Sequence, residues 1–582
     1  MAGRDRPLDD VRVPTTQSPR WGRPDTVAIL AVLMLFLCSR WIWLHDLPPS
    51  ASYWEESYRW IAMQQLIDGP TRPLADYQAD HYQGGSLVAI LLARVIATLT
   101  GTGLVTLKIA ALVFSSGTLV ILYLIGRRFF GRMAGLMAAS IYICGPPLVA
   151  YWGVCLTGSH SESIMLSLLL VYATLALATG MWGGVVAWAF AGAIATFSLW
   201  FTPTAGIAVA ACGLGWFVLR GLPRRSDLVA GGAGAAVGLS PWILYNATRD
   251  WVGIDRIVEV FSTQQSNDVF RTQNLWERAV DLVVRVPTEG LLDPGGDLVG
   301  SIWRPVLFVG VLVPASLGLM AGLRRLLGFK SGAARPASDA VRLELVFWIY
   351  EALFAVVYLA SRFTLDIEQR PVTFRLHVPP AVFMILPLAI SAANGLRAGG
   401  TRRIVSGVAA GFFLVSLAST TAVMATRHEA EGSPLSRDLG YVVLGRLAQR
   451  KYAKPLERSL EEVSWIPDAD DRAKAQFGIG WGISEYYVQM GSLDELRTFI
   501  DRNPPDHALL RGMLWGVRNR LLILRSAAEG DDSPDFEQWI LRMRTIRRAL
   551  QRRIDSSESL ESASPTGRVL DPDRSTHIPV MR

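Results

Sequence analysis

Long apolar stretches alternate with short polar segments along most of the chain. A helix needs roughly 20 apolar residues to cross the hydrocarbon core of a bilayer. Eleven stretches come close to this requirement and predict an all-α polytopic membrane protein with that number of transmembrane helices: 26–44, 104–125, 134–152, 162–179, 183–200, 204–220, 228–244, 303–322, 343–361, 377–395 and 404–424.

One further apolar stretch, Ser86–Leu99, is shorter than these and decides the topology. If it does not span and the N-terminus is cytoplasmic, the four arginine blocks named at the end of this paragraph face the cytoplasm, as the positive-inside rule requires. If it does span, all these blocks face outward. We therefore expect Ser86–Leu99 to lie at the outer interface, and the odd number of spans then places the C-terminus outside. The blocks contain Arg127, Arg128, Arg132, Arg220, Arg224, Arg225, Arg324, Arg325, Arg397, Arg402 and Arg403.

This topology divides the chain into three main parts. A cytoplasmic tail (1–25) precedes a transmembrane domain (26–424), whose first outer loop is 45–103. A polar linker follows at 429–436. Beyond it, the sequence of 437–554 becomes amphipathic and charged, which predicts an extracytoplasmic helical domain.

A weak internal repeat lies in this C-terminal domain. Gly478-Ile-Gly-Trp-Gly482 and Gly512-Met-Leu-Trp-Gly516 are 34 residues apart, an offset that suits a helix-turn-helix repeat of the tetratricopeptide (TPR) type. The alternative is two similar helices that pack through Gly and Trp. The segment 555–582 is rich in Ser and Asp and is predicted to be disordered.

The composition supports a membrane protein. Charged residues make up 18% of the chain and the hydrophobic set 51%, whereas soluble domains carry about 25% charged residues. The net charge of +7 would suggest nucleic acid on a soluble protein, but here the basic residues lie between apolar stretches, so we expect no nucleic-acid partner. The four cysteines show no metal-ligand spacing.

The first outer loop carries the clearest candidate for chemistry. Apolar residues recur at helical spacing from Tyr58 to Leu66, and the pair Glu55-Glu56 falls in the first turn of this short amphipathic helix. Acids there can simply favour the positive end of the helix dipole. Alternatively, a carboxylate beside the lipid headgroups can accept a proton from a substrate.

A second polar segment, Leu156–Glu162, is also predicted to face outward. Ser159-x-x-Glu162 matches a capping box for the next span; alternatively, His160 or Glu162 contributes to the site. Together with Asp80 and His81 of the first loop, they offer the ligand types that divalent metals prefer. The spacing is not diagnostic, so no cofactor is predicted and a divalent metal stays open.

Three further ionisable residues stand in or near the later spans. Arg370 and Arg375 precede the span at 377–395. Guanidinium groups bind phosphate oxygens bidentately and stay charged, although an interfacial arginine can also reach lipid headgroups without a specific role. Glu351 lies in the middle of another span, where it is either functional or a protonated carboxyl bonded to a neighbouring helix.

Several of these segments together resemble the GT-C membrane glycosyltransferases, in particular the bacterial branch related to protein O-mannosyltransferases and lipid A aminoarabinose transferases (glycosyltransferase family 39-related). The resemblance covers roughly 26–424. Glu55-Glu56 stands where the family has Asp-Glu, Gly84-Gly85 replaces its prolines, and Gly158 stands where an Asp is common. The segments that carry the resemblance are Glu55–Gly69, Asp80–Ser86, Leu122–Ala139 with Pro146 and Tyr151, and Phe374–Pro380.

The resemblance implies an inverting enzyme that uses a polyprenyl-phosphate sugar at the outer face of a bacterial plasma membrane. By position it makes Glu55 the general base, with Glu56 as second choice or as an orienting partner. It makes Arg375 the ligand of the donor phosphate, with Arg370 as a weaker companion. The sugar and the acceptor are not implied. Two other functions fit the sequence: a transporter or flippase for a lipid-linked intermediate, and an inactive membrane scaffold that binds a partner through the C-terminal domain.

Overall fold

The computed structural model describes residues 22–45, 54–70, 73–78, 81–255, 274–291, 339–360 and 374–397, parts of 400–445, and most of 456–561. The predicted span 303–322 and much of 404–424 lie outside these residues, as do Asp80 and Arg370. Within the described part the chain is helical and contains no β-strand.

The described helices follow the chain in this order: α1 (Arg23–His45), α2 (Trp54–Asp68), α3 (Gly85–Thr100), α4 (Leu104–Ile125), α5 (Arg132–Cys144), α6 (Pro147–Trp152), α7 (His160–Ala178), α8 (Gly184–Phe201), α9 (Gly206–Arg220), α10 (Arg225–Ala247), α11 (Leu275–Val280), α12 (Asp339–Ala360), α13 (Val378–Arg397), α14 (Leu456–Val463), α15 (Ala469–Gln489), α16 (Leu493–Arg502), α17 (His507–Ala527) and α18 (Pro534–Glu561). Short 3-10 or π turns lie at Leu74–Tyr77, Gly126–Phe130, Pro203–Ala205, Asp281–Leu291 and Arg375–His377.

Eight of these helices are long and apolar enough to cross a membrane, which agrees with the predicted class of polytopic all-α protein. One predicted span differs. The stretch 134–152 is broken into α5 and α6 because Gly145 adopts a positive φ of 67° and Pro146 has no N–H to continue the helix. The predicted total of eleven spans is therefore not reproduced among the described residues.

Arginines from distant segments meet at one end of the helix bundle, here called the inner end. Arg127 forms a two-bond ion pair with Asp25 near the start of α1. Arg397, at the end of α13, donates to the carbonyl of Phe130 at 3.2 Å, and Arg220 donates to the last turn of α7. Three of the predicted cytoplasmic blocks are thus joined at the same end.

The opposite end, here called the outer end, is formed by α2, α3 and the starts of α4 and α7. The predicted interfacial stretch Ser86–Leu99 is α3, a helix of 16 residues. At about 1.5 Å per residue it is shorter than the roughly 30 Å of a hydrocarbon core. Its apolar face is buried against α2 and α4, in the same hydrophobic cluster.

The C-terminal helices form two stacked pairs, α15 with α16 and α17 with α18. The two helices that carry the repeated Gly-Trp motif, α15 and α17, are in backbone contact: a Cβ on Gly480 would lie 2.0 Å from the carbonyl oxygen of Leu509, and one on Gly512 would lie 1.9 Å from that of Phe477. The two copies of the motif therefore lie on helices that pack closely through glycine.

The last helix extends further than the sequence indicated. α18 runs to Glu561, past the expected start of disorder at 555, and Ile554 is still buried on its apolar face. Buried side chains of the C-terminal helices belong to the same continuous hydrophobic cluster as α2 and α3. The C-terminal domain therefore lies beside the outer end of the bundle.

Candidate active site

The structure brings Glu55 and Arg375 together across 320 positions of the chain, with Arg375 Nη1 donating to Glu55 Oε1 at 3.0 Å. Glu55 lies in the first turn of α2, and Arg375 begins the turn that leads into α13. Their side chains are 16% and 28% exposed, respectively. The pair is thus partly open to solvent at the outer end of the bundle.

A second arginine, Arg59, also contacts Glu55. It was not identified as a site residue from the sequence. Its Nη1 donates to the Glu55 carbonyl at 2.9 Å and lies 3.4 Å from Glu55 Oε2, while Nη2 donates to Ser86 Oγ at 3.0 Å. Arg59 is buried and therefore fastens α2 to α3. The available signal was its spacing of four residues from Glu55, since such pairs face each other on a helix.

Glu56 points away from the site and into the protein. It is fully buried; its Oε2 accepts from Lys108 Nζ at 2.7 Å and its Oε1 accepts from the N–H of Leu156 at 2.9 Å. A carboxylate sealed in this way cannot meet a substrate, so the geometry does not suit Glu56 as a base. The contact with Lys108 fixes α2 against α4, a position compatible with the alternative role of a partner that orients the site.

Lys108 is the second residue that sequence reasoning missed. It sits near the start of α4, inside an otherwise apolar run, and its side chain is only 3% exposed. A lone charge within a predicted span is a signal for a buried partner or a function. The partner could not be chosen without the fold, because Glu56 is 52 positions away.

Glu162 is saturated by donors from its own loop. Its carboxylate accepts from the backbone N–H groups of Thr157, Gly158 and Ser159 and from the hydroxyls of Thr157 and Ser161. This is the capping arrangement expected at the start of α7. These bonds commit Glu162 to the loop.

His160 lies at the edge of the candidate site. Its ring is half-buried, and Nδ1 is 3.1 Å from Thr204 Oγ1. The charges of both Glu55 and Arg375 act on the imidazole. His160 is therefore within electrostatic reach of the ion pair, and Thr204 is a partner that the sequence did not reveal.

His81 belongs to a neighbouring cluster on the outer end. Its Nδ1 is hydrogen-bonded to the hydroxyl of Tyr245. Arg249 lies 4.1 Å over the Tyr245 ring and forms an ion pair with Asp76. This cluster ties the first outer loop to the end of α10 and does not bring His81 to Glu55.

Among the described members of the His–carboxylate cluster considered in the sequence, His81, His160 and Glu162 do not form a metal-binding group, and Asp80 lies outside the described residues. Glu162 is committed to its own loop and His81 to Tyr245. The three described carboxylates close enough to share an ion are Asp468, Asp470 and Asp471, at the start of α15. Lys474 pairs with the last two, so one lysine offsets part of the negative charge of this group.

Backbone contacts between α3 and the loop before α7 explain two departures from the family pattern. Gly158 has a φ of +60°, and a Cβ there would lie 2.5 Å from Ser86 Cα. A Cβ on Gly85 would lie 2.2 Å from the Gly158 carbonyl oxygen, and one on Gly84 would lie 2.0 Å from the Trp200 ring. The Asp expected at 158 and the prolines expected at 84–85 have no room here.

Two further residues lie near the site or below it. His377, the last residue of the turn that carries Arg375, is buried among the rings of Phe354, Tyr358 and Phe374. Glu351 lies about 10 Å deeper along α12 than Tyr358, at 1.5 Å per residue, and its Oε1 is buried without a hydrogen-bond partner in the described residues. The neighbouring-helix partner expected for Glu351 is thus not found there.

No protein-family model matches the sequence, and no curated protein matches it. Similar solved structures are those of the oligosaccharyltransferase of the archaeon Archaeoglobus fulgidus. For AglB in complex with an inhibitory peptide and a dolichol-phosphate, the identity is 13%, the TM-score is 0.43, and the match covers 77% of this chain and 61% of that one. For the enzyme tethered to an acceptor peptide containing the NVT sequon, the values are 14%, 0.42, 75% and 58%.

This chain spans about three fifths of the length of these neighbours. The TM-scores lie below 0.5, so the function has to be inferred from the site itself.

Proposed function

We propose that the protein is a membrane glycosyltransferase that moves a sugar from a polyprenyl-phosphate donor to an acceptor hydroxyl at the outer face of the membrane. The observation that carries this proposal is the half-open pair of Glu55 and Arg375 at 3.0 Å. Displacement at an anomeric carbon needs a base for the incoming hydroxyl and positive charge for the departing phosphate. These two residue types supply both.

Glu55 acts as the general base. It takes the proton of the acceptor hydroxyl while that oxygen forms a bond to the anomeric carbon. The bond from this carbon to the phosphate oxygen breaks at the same time, and its electron pair leaves with the polyprenyl phosphate. A single displacement of this kind inverts the anomeric configuration.

Arg375 binds the donor phosphate. A guanidinium presents a fork of N–H donors that matches two phosphate oxygens, and the 28% exposure of the Arg375 side chain gives a headgroup access to it. Arg370 is proposed as a second phosphate ligand from the same loop. His160 lies beside the pair and is proposed to contact the sugar or the acceptor.

The two ends of the bundle support an extracytoplasmic site. The arginine-rich inner end joins Arg127, Arg220 and Arg397, and the positive-inside rule places such residues in the cytoplasm. Glu55 and Arg375 lie at the opposite end. We infer an N-terminus in the cytoplasm of a bacterium and a C-terminal domain outside, where it lies beside α2 and α3 and is positioned to hold the acceptor or a partner.

Transfer by the purified protein in lipid nanodiscs tests this proposal, with synthetic polyprenyl-phosphate sugars as donors. The comparison is wild type, Glu55→Gln, Arg375→Ala and the control Asp76→Asn. Asp76 is also a partly exposed acid paired with an arginine at the outer end. We expect Glu55→Gln to lose about 10²–10⁴-fold in rate, the usual contribution of a general base, and Asp76→Asn to keep its activity.

The other two functions give different results. If wild type transfers nothing from any donor but moves labelled donor across liposomes, the protein is a flippase. If it does neither, the scaffold interpretation holds. If Glu55→Gln keeps full activity, Glu55 is not the base.

A further inference from the structure

Glu55 is already paired in this structure, although it is the proposed base. Arg375 donates to its Oε1 at 3.0 Å, and Arg59 lies 3.4 Å from its Oε2. Positive charges at this distance favour the ionised carboxylate and make it reluctant to take a proton. The resting arrangement is therefore a poor state for catalysis, and something has to change before Glu55 can act.

The two arginines differ in how firmly they are held. Arg59 is buried and bonded to the Glu55 carbonyl and to Ser86 Oγ, so it is part of the contact between α2 and α3. Arg375 comes from a distant segment, and its side chain is 28% exposed. Of the two, Arg375 is the arginine that can exchange its carboxylate partner for another anion.

We propose that the Glu55–Arg375 pair is a resting-state lock, which a lipid-linked phosphate opens by taking Arg375 away from Glu55. This inference rests on the proposed function. The carboxylate and the phosphate are both oxyanions that suit the same guanidinium fork. Glu55 therefore holds the phosphate position of the site while no donor is bound, and it becomes a stronger base only when the donor arrives.

The lock gives the reaction an order. The donor binds first, and the acceptor hydroxyl then meets a carboxylate that has lost one of its two guanidinium neighbours. After transfer, Glu55 carries the proton and is neutral, so it cannot re-form the ion pair. Once that proton passes to solvent, the charged carboxylate competes again for Arg375 and helps to displace the polyprenyl phosphate.

Binding of a polyprenyl phosphate without a sugar tests the lock, because no catalysis is needed. The protein is placed in nanodiscs and titrated as wild type, Glu55→Gln, Glu55→Asp, Arg375→Ala and Asp76→Asn. We expect Glu55→Gln to bind about twofold to fivefold more tightly than wild type, which corresponds to removal of one partly exposed ion pair. Glu55→Asp, whose shorter side chain reaches Arg375 less well, should shift in the same direction, and Asp76→Asn should bind as wild type does.

The variants separate failure of the lock from failure of the proposed function. If Arg375→Ala loses binding but both Glu55 variants bind no more tightly than wild type, the lock is wrong and the phosphate role of Arg375 stands. If Arg375→Ala binds as well as wild type, the phosphate role fails, and the lock fails with it. A Glu55→Gln protein that does not fold leaves Glu55→Asp to decide.

Discussion

The inner and outer ends of the bundle each contain an ion pair between distant segments, but the two pairs are built differently. At the inner end, Arg127 binds Asp25 through both Nε and Nη2, across 102 positions, and the side chains are 5% and 10% exposed. At the outer end, Arg375 Nη1 donates to Glu55 Oε1 at 3.0 Å, and the side chains of Glu55 and Arg375 are 16% and 28% exposed. The inner pair is more deeply buried and holds helices together, whereas the outer pair is the one that we propose exchanges a partner.

A similar contrast separates the neighbours Glu55 and Glu56. A helix turns by about 100° per residue, so adjacent acids in the first turn of α2 face different surroundings. Glu56 faces Lys108 and the Leu156 N–H inside the protein, and Glu55 faces the open side. One acid thus fixes the helix, and the other is partly exposed and is the one that we propose as the base.

The largest expected effect concerns the side of the membrane on which each end of the bundle lies, because an impermeant reagent either reaches a cysteine or does not. Leu74 is 48% exposed at the outer end, and Leu222 is 83% exposed in the inner loop between α9 and α10. In a Cys38→Ser background, Leu74→Cys should react with an impermeant maleimide from outside intact cells, and Leu222→Cys only after permeabilisation. Native Cys155 should stay unlabelled, because burial raises the pKa of its thiol to about 12 and keeps it protonated at neutral pH.

Replacing the acid of each ion pair by its amide tests the functional difference between the two ends of the bundle. Glu55→Gln should abolish most transfer, by about 10²–10⁴-fold, and leave thermal unfolding nearly unchanged. Asp25→Asn should do the reverse, with a loss of about 1–3 kcal/mol from an unmatched charged hydrogen bond and little change in the rate of the folded protein. Equal loss of activity in both variants would contradict the distinction between a functional outer pair and a structural inner pair.

Glu56→Gln should affect stability far more than Glu55→Gln. It leaves the Lys108 charge buried without its partner, which typically costs about 3–5 kcal/mol. Thermal unfolding in detergent measures the loss. The double variant Glu56→Gln with Lys108→Met should recover much of it, because no charge then remains buried; a double variant as unstable as the single one contradicts the assigned pairing.

A smaller effect is expected from the glycine contact at the outer end. Gly158→Ala combines a left-handed backbone with a Cβ 2.5 Å from Ser86 Cα, which should cost about 2–4 kcal/mol as strain plus overpacking. Gly180 also has a positive φ, of +73°, but nothing lies within 4 Å of its Cβ position. Gly180→Ala should therefore cost only about 1 kcal/mol, as measured by thermal unfolding.

Much of the transmembrane part could be predicted because apolar length is a local property. The ends of α4, α7 and α10 fall within a few residues of the predicted stretches, and the short length of α3 was visible in the sequence. The break between α5 and α6 was not predicted, although Gly145-Pro146-Pro147 is a turn signal. The span 134–152 was predicted from its apolar content alone, without regard to these turn residues.

The residues of the candidate site could be predicted only where the sequence of their own segment pointed to a function. Glu55 and Arg375 could be chosen from their residue types, their outward loops and the family resemblance. Arg59 and Lys108 could not be assigned partners, because a pairing across 27 or 52 positions depends on how the helices pack. The commitment of Glu162 to its loop was foreseen as a capping box, since capping is local.

The glycine contact between α3 and the loop before α7 also constrains how the sequence can change. The two backbones touch with no side chain between them. A larger residue on either side of the contact would therefore have no space. Related chains should therefore alter positions 85 and 158 jointly or retain glycine at both, and an alignment in which these two positions vary independently would mean that the interfacial helix is seated differently there.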